Sequence, residues 1–172
     1  MAHASPPAFL FDLDGTLVDS VYQHVLAWRE ALEDAGLGLS VWRIHRRIGM
    51  SGGLFVHALL RETGHEVTAE EAARLQRGHV AAYRRHVGAV RPLPGARELL
   101  ARLSETGVPW AIATSGRPES ARLTLKLLGV PEDAAIVTRG EVTHAKPDPD
   151  LFLAAAEQLK MPIEHSVVVG DS

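Results

Sequence analysis

The sequence predicts an α/β protein: a doubly wound parallel sheet interrupted near its start by an all-helical insertion. Three observations carry that fold class. Short apolar runs of strand length each end in turn-forming or acidic residues. From residue 90 onward these runs alternate with stretches of helical period, the pattern of a parallel sheet wrapped by helices. Between the first apolar run and residue 87, by contrast, the periodicity is almost wholly helical.

Taken in order, residues 8–13 read as a buried strand running into the Asp-Gly turn at Asp14-Gly15. Val21, Val25, Trp28 and Leu32 fall on one face of a helix that Gly36 can stop. Residues 52–62 and 69–86 continue the helical block. Val90-Arg91-Pro92-Leu93-Pro94-Gly95 is a linker. Beyond it come a helix over 96–103 stopped by Gly107, a strand over 110–113, and a helix over 118–128 with Gly129 behind it. A strand over 135–137 follows, then a helix capped by Asp148 with Pro149 at its first position and running to Leu159. A last strand over 166–169 ends in Gly170-Asp171. The domain expectation is a core made of residues 1–19 and 90–172, with residues 20–89 as a helical cap. The sequence stops just past a strand, where such a fold usually continues, so the core is expected to be short of its C-terminal end.

Composition narrows the class further. A chain of 172 residues suggests one domain on a prior of ~150 residues each, large enough to bury a core without staples. Cysteine is absent, which removes disulfide scaffolds, thiolate metal sites and cysteine nucleophiles together. Asparagine is absent as well, so there is no glycosylation sequon. No apolar run approaches the ~20 residues of a membrane span. Residues 1–7 lack the features of a signal peptide, and the expected compartment is the cytoplasm. A formal net charge of −3 gives no electrostatic case for nucleic acid or an anionic membrane. The expected oligomeric state is a monomer or a weak homodimer.

In open parallel sheets, ligands bind beyond the carboxyl ends of the strands. The residues found there are Asp12 and Asp14, then Thr114 and Ser115, then Asp171, with Lys146 in a loop before a helix. Each alone has an ordinary explanation. Asp-x-Asp-Gly is often an Asx turn, Thr-Ser can merely cap a helix, and a loop lysine is usually solvated. Lys146 is nevertheless one of three lysines beside fifteen arginines. Together the residues make a coherent set. Asp12 and Asp171 offer the hard oxygen ligands that Mg²⁺ takes alongside water and phosphate. Thr114 with the free amides of a helix start offers an anion cradle, and Lys146 a compact positive charge. Carboxylates, metal and cradle point to phosphoryl chemistry.

These residues also carry a family resemblance. Asp12-x-Asp14-Gly15-Thr16-Leu17-Val18-Asp19 resembles the first motif of the haloacid dehalogenase superfamily. Thr114 after Trp-Ala-Ile-Ala falls at the second, Lys146-Pro147-x-Pro149-Asp150 at the third, and Val169-Gly170-Asp171-Ser172 at the start of the fourth. All four occur in order, so the resemblance spans the whole chain. It implies a Rossmann-like core, and a phosphatase of small phosphomonoesters such as sugar phosphates or phosphoglycolate. Asp12 would be the nucleophile that forms an aspartyl-phosphate, and Asp14 the general acid and base. Mg²⁺ would sit on Asp12, the backbone carbonyl of Asp14, and Asp171. The implied partner is a small phosphorylated metabolite. An acid at Asp14 disfavours the dehalogenase and phosphonoacetaldehyde hydrolase branches.

The helical insertion resembles the C1 type of cap that selects substrate. Asp19-Ser20 followed by His24 and Trp28 looks like the subgroup of β-phosphoglucomutase and small sugar-phosphate phosphatases. His24 reads either as a core histidine or as a residue at the hinge that helps gate Asp14. Residues 47–53 form the expected specificity loop, with Arg47, Gly49, Met50 and Ser51 as substrate contacts. Arg43, Arg46 and Arg47 read first as a solvated helix face. A mutase of this type carries an arginine just after Gly-x-Ser to grip a second phosphate. Gly52 stands there instead, which favours a phosphatase. The alternatives are a phosphosugar mutase and a non-catalytic phosphometabolite-binding protein. The family pattern also has another acid a few residues after Gly170-Asp171, beyond the last residue here.

Overall fold

The computed structural model describes residues 6–62 and 64–171. Strand β1 (Ala8–Phe11) leads through a tight turn into β2 (Val18–Asp19). Four helices follow: α1 (Val21–Glu33), α2 (Val41–His45), α3 (Gly52–Arg61) and α4 (Ala69–His86). The chain then returns through β3 (Arg91–Pro92), α5 (Ala96–Glu105), β4 (Trp110–Ala113), α6 (Pro118–Leu128), β5 (Ala135–Val137), α7 (Asp150–Gln158) and β6 (Ser166–Val169).

β5, β4, β1 and β6 form one sheet in that order, every pair parallel. The register sets Phe11 against Ile112 on one side and Val169 on the other, so the ends of β1, β4 and β6 open on the same edge. Alternating side chains give the sheet two buried faces. Phe11 and Ile112 pack with Leu100, Leu103 and Leu128 of α5 and α6. Leu10, Ala111 and Val137 pack on the other face with Leu151, Ala155 and Ala156 of α7. At the sheet edge, Val167 and Val168 of β6 are exposed.

The cap has its own core, in which Val25, Trp28 and Leu32 meet Ile44, Phe55, Leu59 and Leu75. Its longest helix, α4, starts from a capping box: Glu71 N donates to Thr68 Oγ1 at 3.2 Å, and Thr68 N to Glu71 Oε2 at 2.9 Å.

The structure amends the sequence-based expectations at several element ends. The first strand stops at Phe11, which frees Asp12 and Leu13 for the turn. The linker includes β3, paired antiparallel with β2 through Val18 with Pro92 and Asp19 with Arg91. The cap is therefore joined to the core by a two-stranded ribbon. Asp148 does not cap α7. Pro149 occupies the N-cap position, while the Asp150 carboxylate accepts from the His144 amide at 3.0 Å.

Candidate active site

Asp12 follows the central strand and donates its amide to Val169 O at 2.8 Å. The side chain is buried, with Oδ1 accepting from Leu13 N at 2.7 Å and from Lys146 Nζ at 2.6 Å. Burial pushes the Asp12 carboxyl up, and the Lys146 ammonium and Leu13 amide pull it only part of the way back. Both bonds use Oδ1, so Oδ2 has no hydrogen bond among the described residues. Lys146 is nearly buried and its ammonium lies 5.0 Å from the Phe152 ring centroid.

Asp14 sits in the next turn, half-buried. Its Oδ1 accepts from Ser20 Oγ at 2.6 Å and faces His24 Nε2 at 3.1 Å. Burial pushes this carboxyl up too, but His24, the Ser20 hydroxyl and Lys146 together outweigh it and leave Asp14 below its ordinary value. The two aspartates thus share a turn yet are shifted in opposite directions.

Gly15 closes that turn with φ +83°, a conformation that favours glycine. A Cβ there would overlap Asp171 Oδ2, so the Asp171 carboxylate occupies the place that a side chain at this position would fill. Asp171 is thereby set against the Asp12–Gly15 turn. Among the described residues no three His, Cys, Asp or Glu side chains are grouped to hold a metal. Two carboxylates and a main-chain carbonyl are instead an all-oxygen set, which suits Mg²⁺ with water completing its shell.

Thr114 follows β4, is buried, and accepts from Gly116 N at Oγ1, 2.9 Å. α6 begins only at Pro118, with Arg117 as N-cap, so residues 114–117 form a loop and Thr114 does not cap the helix. Next to Thr114, the Ser115 hydroxyl is buried with no hydrogen-bond partner among the described residues. An orphaned hydroxyl in this loop suits an anion.

A cavity of about 600 Å³ is lined on the core side by Asp12, Asp14, Thr114 and Ser115 and on the cap side by His24, Gly49 and Met50. Four expected site residues do not line it: Lys146 and Asp171, which stand behind the Asp12–Gly15 turn, and Arg47 and Ser51 of the cap. Arg47 pairs with Glu62 across the cap, because its long side chain reaches the end of α3 rather than the cavity. Ser51 is buried, and its amide donates to Lys146 O at 3.3 Å, so it docks the loop of residues 47–53 on the core. Arg43 is exposed, and Arg46 stacks on Trp42 at 4.8 Å, as a solvated face does.

The sequence pattern of the haloacid dehalogenase-like hydrolases matches residues 6–172. The chain belongs to that family. It is 36% identical over 166 residues to hexitol phosphatase A of Escherichia coli, covering 95% of this chain and 74% of the relative. It is 29% identical to the β-phosphoglucomutase of Bacillus subtilis, covering 96% and 75%. A solved hydrolase from Pseudomonas syringae superimposes with a TM-score of 0.91 at 51% identity, covering 94% of this chain and 74% of that one.

In this haloacid dehalogenase-like hydrolase the cavity also holds residues that sequence patterns did not single out. Gln76 and His79 enter it from α4, and Arg117 and Arg139 from the core. Arg117 Nη2 donates to Gln76 Oε1 at 2.5 Å and bridges core to cap. One signal was readable: His79 interrupts the apolar stripe Ala72, Leu75, Ala82, Tyr83 of α4. Among the described residues, no helix is long and apolar enough to cross a membrane.

Proposed function

We propose that this hydrolase is a Mg²⁺-dependent phosphatase of small phosphomonoesters, sugar or sugar-alcohol phosphates first among them. The observation that carries this is the pairing of two unlike aspartates on one cavity wall. Asp12 is fixed by Lys146 with an oxygen to spare, and Asp14 is held two residues on by Ser20 and His24. Asp12 Oδ2 attacks phosphorus, the bond to the ester oxygen breaks, and that oxygen takes the proton of Asp14. Water then attacks the aspartyl-phosphate, gives a proton to the Asp14 carboxylate, and breaks the bond to Asp12. The Thr114–Ser115 loop and Lys146 hold the phosphoryl oxygens. Asp12, Asp171 and the Asp14 carbonyl would hold Mg²⁺, which supplies charge neutralisation for the transferring group.

The cavity has room for a hexose-sized leaving group, and its cap wall mixes Trp28 and Phe55 with Gln76 and His79. The names of the relatives, a hexitol phosphatase and a phosphosugar mutase, support the same substrate class. Transfer to a second hydroxyl is disfavoured at Gly52, which carries no cationic side chain and has Gln76 packed over its backbone. Phosphate release measured over a panel of phosphorylated metabolites tests the proposal. The expected result is release that stops in chelator and returns with Mg²⁺. Phosphate moved within the substrate, or none released from any ester, would reject it.

A further inference from the structure

The scheme leaves one polar group in the cap without a task. His79 is 9% exposed and stacks on Trp28 at 4.3 Å between ring centroids. A hydrophobic side chain would fill this place without the cost of burying an imidazole. The hydrogen bond it makes is to a second histidine: His79 Nε2 lies 3.1 Å from His24 Nδ1. The other nitrogen of His24, Nε2, lies 3.1 Å from Asp14 Oδ1. Asp14, His24 and His79 therefore form a row that runs from the core into the cap. Tyr83 stacks on His24 at 4.1 Å, but its hydroxyl is engaged with Thr124 at 3.0 Å and stands outside the row.

One proton lies between His24 Nδ1 and His79 Nε2, and its owner decides what His24 can do. Burial, with His24 alongside, holds His79 well below the ordinary histidine value, so its imidazole stays neutral. A neutral His79 that donated from Nε2 would leave His24 with its only proton at Nε2. His24 could then give nothing to Asp14 without becoming an anion. A neutral His79 that accepts at Nε2 keeps a proton on His24 Nδ1. His24 Nε2 is then the nitrogen that faces Asp14 Oδ1 with its lone pair.

We propose that His79 is a positioning residue for the acid/base step: its Nε2 accepts from His24 Nδ1, fixing the tautomer of His24 and aiming Nε2 at Asp14. This rests on the assignment of Asp14 as acid and base. With the tautomer fixed, His24 Nε2 is held 3.1 Å from Asp14 Oδ1, against the carboxyl that gives a proton to the ester oxygen as the phosphorus–oxygen bond breaks and takes one from the attacking water.

The test uses the full chain and three variants. Long-range proton–nitrogen NMR of the resting protein is expected to show His79 neutral and protonated at Nδ1, with a protected proton on His24 Nδ1. That proton should survive in His79→Gln, whose amide oxygen reaches the place of Nε2, and vanish in His79→Phe and in the shorter His79→Asn. In turnover, His79→Phe should lose about tenfold or more in kcat on sorbitol 6-phosphate, whose leaving group needs protonation. Its loss on para-nitrophenyl phosphate should be at least several-fold smaller, and His79→Gln should restore sorbitol 6-phosphate turnover. A proton on His79 Nε2 would overturn the proposal, even if the variants failed to fold. So would equal losses on both esters in folded His79→Phe. Failure of the unmodified chain to release phosphate would reject the phosphatase assignment instead, with the tautomers still readable.

Discussion

The main-chain amide of Ser51, in the cap, donates to the carbonyl of Lys146, in the core, across 3.3 Å. The loop that lines the cavity from above therefore rests on the loop that presents an ammonium to Asp12. In the proposed mechanism this bond ties the cap loop beside the substrate to the residue that holds Asp12.

The two aspartates should separate by leaving group. Asp12→Asn keeps the shape but removes the attacking oxygen, and should be inactive on every ester. Asp14→Asn removes only the proton donor and base, a role worth about 10²–10⁴-fold. It should keep measurable hydrolysis of aryl phosphates, which need little protonation, and lose alkyl esters. Circular dichroism confirms folding. Turnover by folded Asp12→Asn would overturn the mechanism.

Gly15→Ala should damage the metal site more than the fold. The left-handed backbone at φ +83° costs an alanine about 1–2 kcal/mol. Its methyl group also displaces the Asp171 carboxylate. Calorimetric titration with Mg²⁺ should show about tenfold or more weaker binding, the scale of a disturbed ligand shell. Unchanged Mg²⁺ affinity would remove Asp171 from the site.

The Arg117–Gln76 bridge should behave as a unit in substrate binding. Arg117→Ala and Gln76→Ala should each raise KM about threefold to tenfold, with kcat nearly unchanged, and the double variant should be no worse than either. Additive effects in the steady-state constants would mean that the two residues act separately.

Acid should weaken the fold partly through His79. Its pKa is depressed in the folded state, while an unfolded histidine titrates near ~6.5. Below that value the unfolded chain binds a proton that the folded one refuses. The contribution is therefore complete above ~6.5 and is lost as pH falls toward the depressed value, with a slope approaching about 1.4 kcal/mol per unit. Urea unfolding at about pH 7.5 and about pH 5.5 should show a smaller loss in His79→Gln than in the unmodified chain. Parallel losses in both proteins would place the titration elsewhere.

The sequence made the catalytic edge legible because phosphoryl chemistry needs few residue types and the sheet puts them at strand ends. Asp12, Asp14, Thr114, Lys146 and Asp171 all lie at or beside that edge. Helix α6 was readable at both ends, since Pro118 can only start a helix and Gly129 adopts the left-handed conformation that ends one. Pairings between distant side chains were not readable. Nothing local to Arg47 says that Glu62 will take it, and nothing local to Arg117 points to Gln76. Strands β2 and β3 are two residues each, too short for any period to register. Asp148 looked like a cap because it precedes a proline, yet Asp150 makes the bond that organises the loop.

The ribbon of β2 and β3 has a consequence for inheritance. Asp19 and Arg91, where the chain leaves and re-enters the core, are partners in one ladder and so stand roughly 5 Å apart. Any segment whose two ends meet can be spliced between them without moving a strand of the main sheet. The closure cost of a longer segment grows only with the logarithm of its length. Asp12 and Asp14, which react in the proposed mechanism, lie outside the splice, and the cap residues that line the cavity lie within it. A lineage can thus exchange its diet of esters by trading one continuous stretch of gene, leaving the chemistry where it was.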